Sequence, residues 1–314
     1  MNATVVCCKG WRIAPIVSLL LGILLVPGWA QAEKLYKYRD DAGRLVFTDK
    51  SPGGTKPVEV RQINPGRAAR KVSLVHRGSK ERPVVVAVND YDGPVELRIQ
   101  WAEQKNVQSG VAFPARFVLA PRQEKELTRL APVREDQSWS YRYQWSWVPG
   151  APGAAPSQPA YAAPFCRGSF PVSQGFNGTF SHQDPENRYA VDLVMPVGTP
   201  LCAARAGGVM EVANDYYAGG TDRAELMERA NFIRILHEDG TMAIYADLML
   251  ESVQVLAGQR VSVGQLIGFS GDTGYSSGPH LHFAVQQNLG MAISSIPFTF
   301  FNEEPQAGQH ISAR

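Results

Sequence analysis

The residues best suited to chemistry lie late in the chain, in Gly278-Pro279-His280-Leu281-His282-Phe283. Side chains repeat with period two along a β-strand, so His280 and His282 project to one face while Leu281 and Phe283 turn into a core. Two imidazoles side by side suit two kinds of chemistry. Both can bind a metal ion, or one can bind it while the other handles a proton. A bare His-x-His pair does not choose between these, nor does it exclude two ordinary structural histidines.

The elements around this pair point to a β-rich unit. Phe232-Ile233-Arg234-Ile235-Leu236 reads as a strand, glycines recur from Gly258 to Gly278, and one short helix is predicted over Ala224–Ala230. This unit spans 161–303, with a tail at 304–314, and is expected to be mostly antiparallel. Its other titratable residues read as structural. His237 precedes Glu238-Asp239-Gly240, a hairpin-turn signal; His76, outside the unit, and His310 have no sequence partners and read as solvated. Glu225 and Glu228, with Arg223 and Arg229, read as an exposed charged face.

Upstream, Pro149 to Ala160 carries no charge and is rich in helix and strand breakers, as expected of a linker (149–160). Residues 70–148 show recurrent β-branched runs ending in Trp139, Tyr141, Tyr143, Trp145 and Trp147, which alternate with polar residues. The expectation is an immunoglobulin-like β-sandwich with the aromatic face as core. A sugar-binding platform is the other use of such a face. Residues 33–65 read as a small β-hairpin domain around the Asp40-Asp41-Ala42-Gly43 turn. They resemble a small domain of unknown function found at the start of many exported bacterial proteins.

The first 32 residues look like a cleaved signal peptide: Lys9 and Arg12 precede an apolar run from Ile13 to Val26, and Ala30-Gln31-Ala32 supplies a cleavage site. An uncleaved anchor is the alternative; cleavage leaves no stable membrane anchor. The leader holds two of the 31 basic residues and none of the 29 acidic ones, so the mature chain is formally neutral. That argues against nucleic-acid binding, which needs a clustered basic excess. Of four cysteines, Cys166 and Cys202 outlast the leader, and export makes a disulfide between them the simple reading, two buried thiols the other.

Taken in order, Asp192-Leu193-Val194-Met195-Pro196-Val197-Gly198-Thr199-Pro200, Gly258 to Gly268, Ser270 to Gly278 and the His-x-His pair resemble the lysostaphin-type, LytM-like zinc endopeptidases. The likeness covers about 165–300. It implies a small antiparallel β fold with an open groove and one Zn2+ held by a His, an Asp and the second His of the pair. Asp192 and His282 take ligand roles, and His280 becomes the catalytic histidine.

Two positions depart from the family's common pattern. Arg188 stands where the compact motif has its first histidine, and a guanidinium offers no lone pair. His182 is the substitute, as in a subfamily with a longer loop between His and Asp. Asp247 stands where many relatives carry a second catalytic histidine; a carboxylate there could orient His280. The resemblance and the leader together imply an exported hydrolase of peptidoglycan peptide cross-links, in the periplasm or at the cell surface. A non-hydrolytic wall-binding or hydrolase-activating module is the alternative, kept open by Asp247.

Overall fold

Alternating apolar and polar residues dominate the sequence, and in a computed structural model the chain folds into strands, with one four-residue helix among the described residues. The structure describes residues 33–39, 43, 45–48, 51, 58–63, 71–157 and 160–314. The expected leader at 1–32 lies outside them. No helix among the described residues is long and apolar enough to cross a membrane.

Strands β1 (Glu33–Arg39), β2 (Leu45–Thr48) and β3 (Glu59–Ile63) form a sheet of order β2-β1-β3. The expected hairpin is β1 with β2, Tyr36 opposite Thr48. The sequence reading did not anticipate β3, whose Glu-Val-Arg-Gln-Ile composition is a weak strand signal.

Seven strands follow: β4 (Val72–Gly78), β5 (Pro83–Asn89), β6 (Val95–Lys105), β7 (Val107–Ser109), β8 (Ala115–Leu119), β9 (Glu124–Pro132) and β10 (Ser140–Pro149). They make two sheets, β4-β5-β9-β7 and β10-β6-β8. Val85, Ala87 and Leu130 from one and Leu97, Ile99 and Leu119 from the other meet in a shared core. We keep the immunoglobulin-like assignment as a proposal, resting on strand number and this shared core. The aromatic face is core: Trp139, Tyr141, Tyr143 and Trp145 are all buried. His76, expected to be solvated, is instead half-buried against Tyr141 and Tyr143, with Tyr143 Oη 3.3 Å from its Nε2. Burial lowers its pKa. His310 is exposed, as expected.

The remaining strands are β11 (Ala160–Tyr161), β12 (Ser169–Gln174), β13 (Val191–Val194), β14 (Pro200–Cys202), β15 (Gly207–Ala213), β16 (Gly219–Gly220), β17 (Phe232–Leu236), β18 (Met242–Ala246), β19 (Arg260–Val261), β20 (Leu266–Phe269), β21 (Gly274–Tyr275), β22 (His280–Asn288), β23 (Ile293–Ser295), β24 (Thr299–Phe300) and β25 (His310–Ser312). The largest sheet runs β19-β15-β17-β18-β22-β13-β12-β25, with β23 beside β22. Each strand pairing along that order is antiparallel. Cys166 and Cys202 are disulfide-bonded, with Cα atoms 5.0 Å apart.

A further expectation needs correction. The helix is one turn, α1 (Arg223–Leu226), capped by Asp222, whose side chain accepts from Glu225 N. Leu226 is its one buried residue, too little apolar surface to offset the cost of nucleating a longer helix. The segment expected as a linker is hydrogen-bonded to the following unit. Ala155 N donates to Asp239 O, Ser157 N to Asp239 Oδ2, and Pro152 bridges to Asn288.

Candidate metal centre

The site begins as a row across four strands. Ala246 on β18 faces His282 on β22, His282 faces Asp192 on β13, and Asp192 faces Gln174 on β12. Period two explains the rest of β22: Leu281 and Phe283 are fully buried, while His280 and His282 open to the other face.

Asp192 holds the centre. Gln174 Nε2 donates to its Oδ2 at 2.8 Å, which leaves Oδ1 for the histidines. His282 Nδ1 lies 2.9 Å from Oδ1 and His182 Nε2 lies 3.2 Å from it. Burial by itself would raise the Asp192 pKa. Its hydrogen bonds with His182 and His282 and the nearby imidazole charge outweigh that and hold the carboxyl well below the carboxylate range.

His182 arrives from the 179–189 loop and is buried. Its Nδ1 donates to Gly175 O at 2.9 Å, so Nε2, toward Asp192, is the nitrogen left to ligate a metal ion in place of its proton. His282 is fixed in the opposite sense. Both oxygens of Asp184 accept from Asn187 Nδ2 at 3.1 Å, which turns Asn187 Oδ1 toward His282 Nε2 at 3.1 Å. An amide oxygen there accepts from Nε2–H, so Nδ1, toward Asp192, is the nitrogen left to ligate a metal ion in place of its proton. Ligand-type atoms of His182, Asp192 and His282 lie within 4.8 Å of one another. Two imidazoles whose free nitrogens converge on one carboxylate oxygen, each held from behind by a carbonyl-type oxygen, fit a divalent metal ion.

His280 stands beside this group. Its Nε2 is 3.0 Å from Asp247 Oδ2 and 3.8 Å from Asp192 Oδ1, and its Nδ1 donates to Gly278 O at 2.8 Å. Burial disfavours the charged ring, yet the hydrogen bond and charge of Asp247, with Asp192 behind, push its pKa up to about 10. Asp247 follows β18 with a left-handed backbone, φ 64°. Leu248, next in the chain, is clamped there: its carbonyl accepts from Thr273 Oγ1 at 2.8 Å and Asn231 Nδ2 at 3.2 Å. Gly271 lets the 270–278 loop approach, since a Cβ would sit 2.3 Å from Met249 N.

The five residues singled out in the sequence are thus brought together, and Arg188 is exposed. His237 lies elsewhere, buried in the β17–β18 hairpin with Nδ1 donating to Ala206 O. Sequence reasoning missed Gln174, Asp184 and Asn187. Asp184-Pro185 is a turn signal that could have marked the last two. Phe180 stacks on Tyr275 beside the site, ring centroids 5.3 Å apart and planes 3° from parallel.

Comparison with known proteins finds two family matches: "Peptidase family M23" over residues 186–294, and "Domain of unknown function (DUF4124)" over 21–71. The first includes Asp192, Asp247, His280 and His282 but begins after His182. The glycyl-glycine endopeptidase ALE-1 of Staphylococcus capitis is 37% identical over 118 residues, covering 38% of this chain and 28% of that protein. The peptidoglycan DD-endopeptidase ShyA of Vibrio cholerae is 38% identical over 116 residues, covering 34% and 24%. The chain therefore spans less than a third of the length of these two relatives. Lysostaphin from Staphylococcus simulans, among solved structures, has a TM-score of 0.30 at 33% identity, covering 38% of this chain and 43% of that one. Residues 186–294 are thus matched as a domain of peptidase family M23.

Proposed function

We propose that the chain is an exported zinc-dependent endopeptidase that hydrolyses peptide cross-links of bacterial peptidoglycan. The observation that carries this reading is the convergence of His182 Nε2, Asp192 Oδ1 and His282 Nδ1 beside a histidine that is itself paired to a carboxylate. A His-His-Asp set without thiolates suits zinc among the common ions. The substrate class and the periplasmic or surface location rest on the relatives named above and on the leader-like N-terminus.

Bound zinc would supply a Lewis acid and a water acidified toward neutral pH. The side chains do the remaining work. Asp192 and the two histidines keep their ligating atoms on one point because Gln174, Gly175 O and Asn187 occupy their other polar atoms. His280 presents Nε2 to the same face, and that is the atom that would donate to a developing oxyanion or pass a proton to the leaving amine. Asp247 keeps the ring turned and charged. A bare carboxylate at this position would repel the oxyanion, and pairing with His280 is what offsets that.

The second reading is a non-hydrolytic wall-binding or hydrolase-activating module. It is favoured by one observation: Asp247 engages Nε2 of His280, the nitrogen that catalysis would need. Metal analysis of the purified chain, with dye release from labelled peptidoglycan, separates the two. The enzyme reading expects about one zinc per chain and release that chelation abolishes. Zinc-loaded protein that binds wall fragments of several cross-link types and cleaves none would establish the second reading instead.

A further inference from the structure

Gln174 touches both the Asp192 carboxylate and the loop that carries Phe180 and Ser181. Its Nε2 donates to Asp192 Oδ2 at 2.8 Å and to Ser181 Oγ at 2.8 Å. Its Oε1 accepts from Phe180 N at 2.8 Å and from Ser181 N at 3.2 Å. All of its hydrogen-bonding capacity is thereby used on two groups that belong to different elements. Gly178 closes against it: a Cβ there would lie 2.0 Å from Gln174 Cγ, so the loop accepts only glycine while Gln174 keeps this pose.

The loop held in this way carries Phe180, which is half exposed and lies flat on Tyr275 from the opposite rim. The pair forms a strap between two cavities. One, of about 730 Å3, is lined by Gly175, Thr179, Phe180 and Asp192 and by residues 304–307. The other, of about 240 Å3, is lined by Asn187, Met227, Phe232, Asp247, Tyr275 and His282. A third space, of about 280 Å3, touches Phe180, Tyr275, Asp192 and His280 together. An aromatic contact thus lies among these cavities, and the loop that carries it shares Gln174 with Asp192.

We infer that Gln174 is a positioning residue coupling the Asp192 carboxylate to the Phe180–Tyr275 strap, so that metal retention and strap closure reinforce each other. This rests on the metal-binding reading above. When the strap is closed, the amides of Phe180 and Ser181 fix the Gln174 carboxamide, which fixes Asp192 with Oδ1 toward His182 and His282. When it opens, Gln174 loses its three bonds to Phe180 and Ser181 and Asp192 is freer to turn. Linkage makes the effect reciprocal: whatever zinc contributes to closing the strap, the strap contributes to holding zinc.

The test uses the full chain, zinc titrated against a competing chelator, and amide hydrogen exchange over residues 174–189. Gln174→Met keeps the length and removes every polar atom. It should weaken zinc binding by roughly ten- to hundredfold, the usual effect of losing an outer partner, and zinc should no longer slow exchange at Phe180 and Ser181. Phe180→Ala, at an exposed site, removes the stack without touching the metal residues. It should speed exchange across 176–184 and weaken zinc binding by at least about fivefold. Zinc affinity within twofold of wild type in either variant overturns the coupling while leaving the peptidase reading intact. A wild-type chain that takes up no zinc overturns both.

Discussion

His280 Nε2 lies 3.0 Å from Asp247 Oδ2, and Asp247 reaches it from a left-handed backbone conformation. The histidine expected to handle protons is thus held by the residue that departs from the family's common pattern. Removing His280 should leave zinc in place and lower hydrolysis by on the order of a hundredfold or more. Asp247→His should leave hydrolysis unchanged or raise it, because a neutral imidazole donates to an oxyanion without repelling it. Dye-release rates for the two variants, with zinc content measured on the same samples, check both. Full activity in His280→Ala would remove this residue from the mechanism.

The ligand assignment predicts a contrast among three variants. His182→Ala and His282→Ala should each lose zinc beyond the ten- to hundredfold expected of an outer partner, and Arg188→Ala should keep it, since that side chain is exposed. Zinc per chain after dialysis against a weak chelator reads this directly. An Arg188→Ala protein without zinc, or a His182→Ala protein with it, would place the first ligand elsewhere.

Cys166 and Cys202 close a loop with a sequence separation of 36. Loop-closure entropy puts the stabilisation at about 3 to 4 kcal/mol. Replacing both by serine should lower the denaturation midpoint by a corresponding amount, and alkylation of the unreduced, exported protein should label neither sulfur. Quantitative labelling of both thiols is the contrary result.

His237 gives the fold a pH dependence outside the metal site. Burial, with Arg205 nearby, takes its pKa down to about 4 despite the bond to Ala206 O. The unfolded chain, with an ordinary value near 6.5, therefore binds more protons than the folded one between those limits. Stability from this residue is intact above about pH 6.5, falls as the pH drops, and levels off below 4. His237→Gln removes the titration. Wild type should lose at most about 3 kcal/mol relative to the variant between pH 7 and 4 in urea unfolding of chelated protein. Parallel pH curves for the two would contradict the assignment.

The sequence made the strand-borne half of the site legible and the loop-borne half only partly so. His280 and His282 follow from period two, and Asp192 from its motif. His182 is implied by the resemblance to a subfamily with a longer loop, since Arg188 cannot ligate, and the loop brings its Nε2 to 3.2 Å from Asp192 Oδ1. Gln174 could not be read this way. It faces Asp192 only because the β12–β13 register shifts between Val172 and Gln174, and such irregularities leave no period in the sequence. His76 misled for a related reason, since it is half-buried on aromatic residues distant in sequence. A short polar strand such as β3 and a one-turn helix such as α1 lie below what local pattern resolves.

The core of the sandwich does not stop at the sandwich: Met210, Met242 and Ile293 from the following unit are packed into it. Its buried Glu96 accepts from Asn288 Nδ2 and Met291 N at the far end of the strand that begins with His280. Cutting the chain at the Pro/Gly-rich stretch would therefore leave a fragment with three apolar side chains newly wetted and the β22–β23 connection without its carboxylate anchor. The seam that composition suggests for excising a minimal enzyme is, in energetic terms, the inside of a shared fold, and a fragment beginning at residue 161 should be less soluble and less stable than the longer chain.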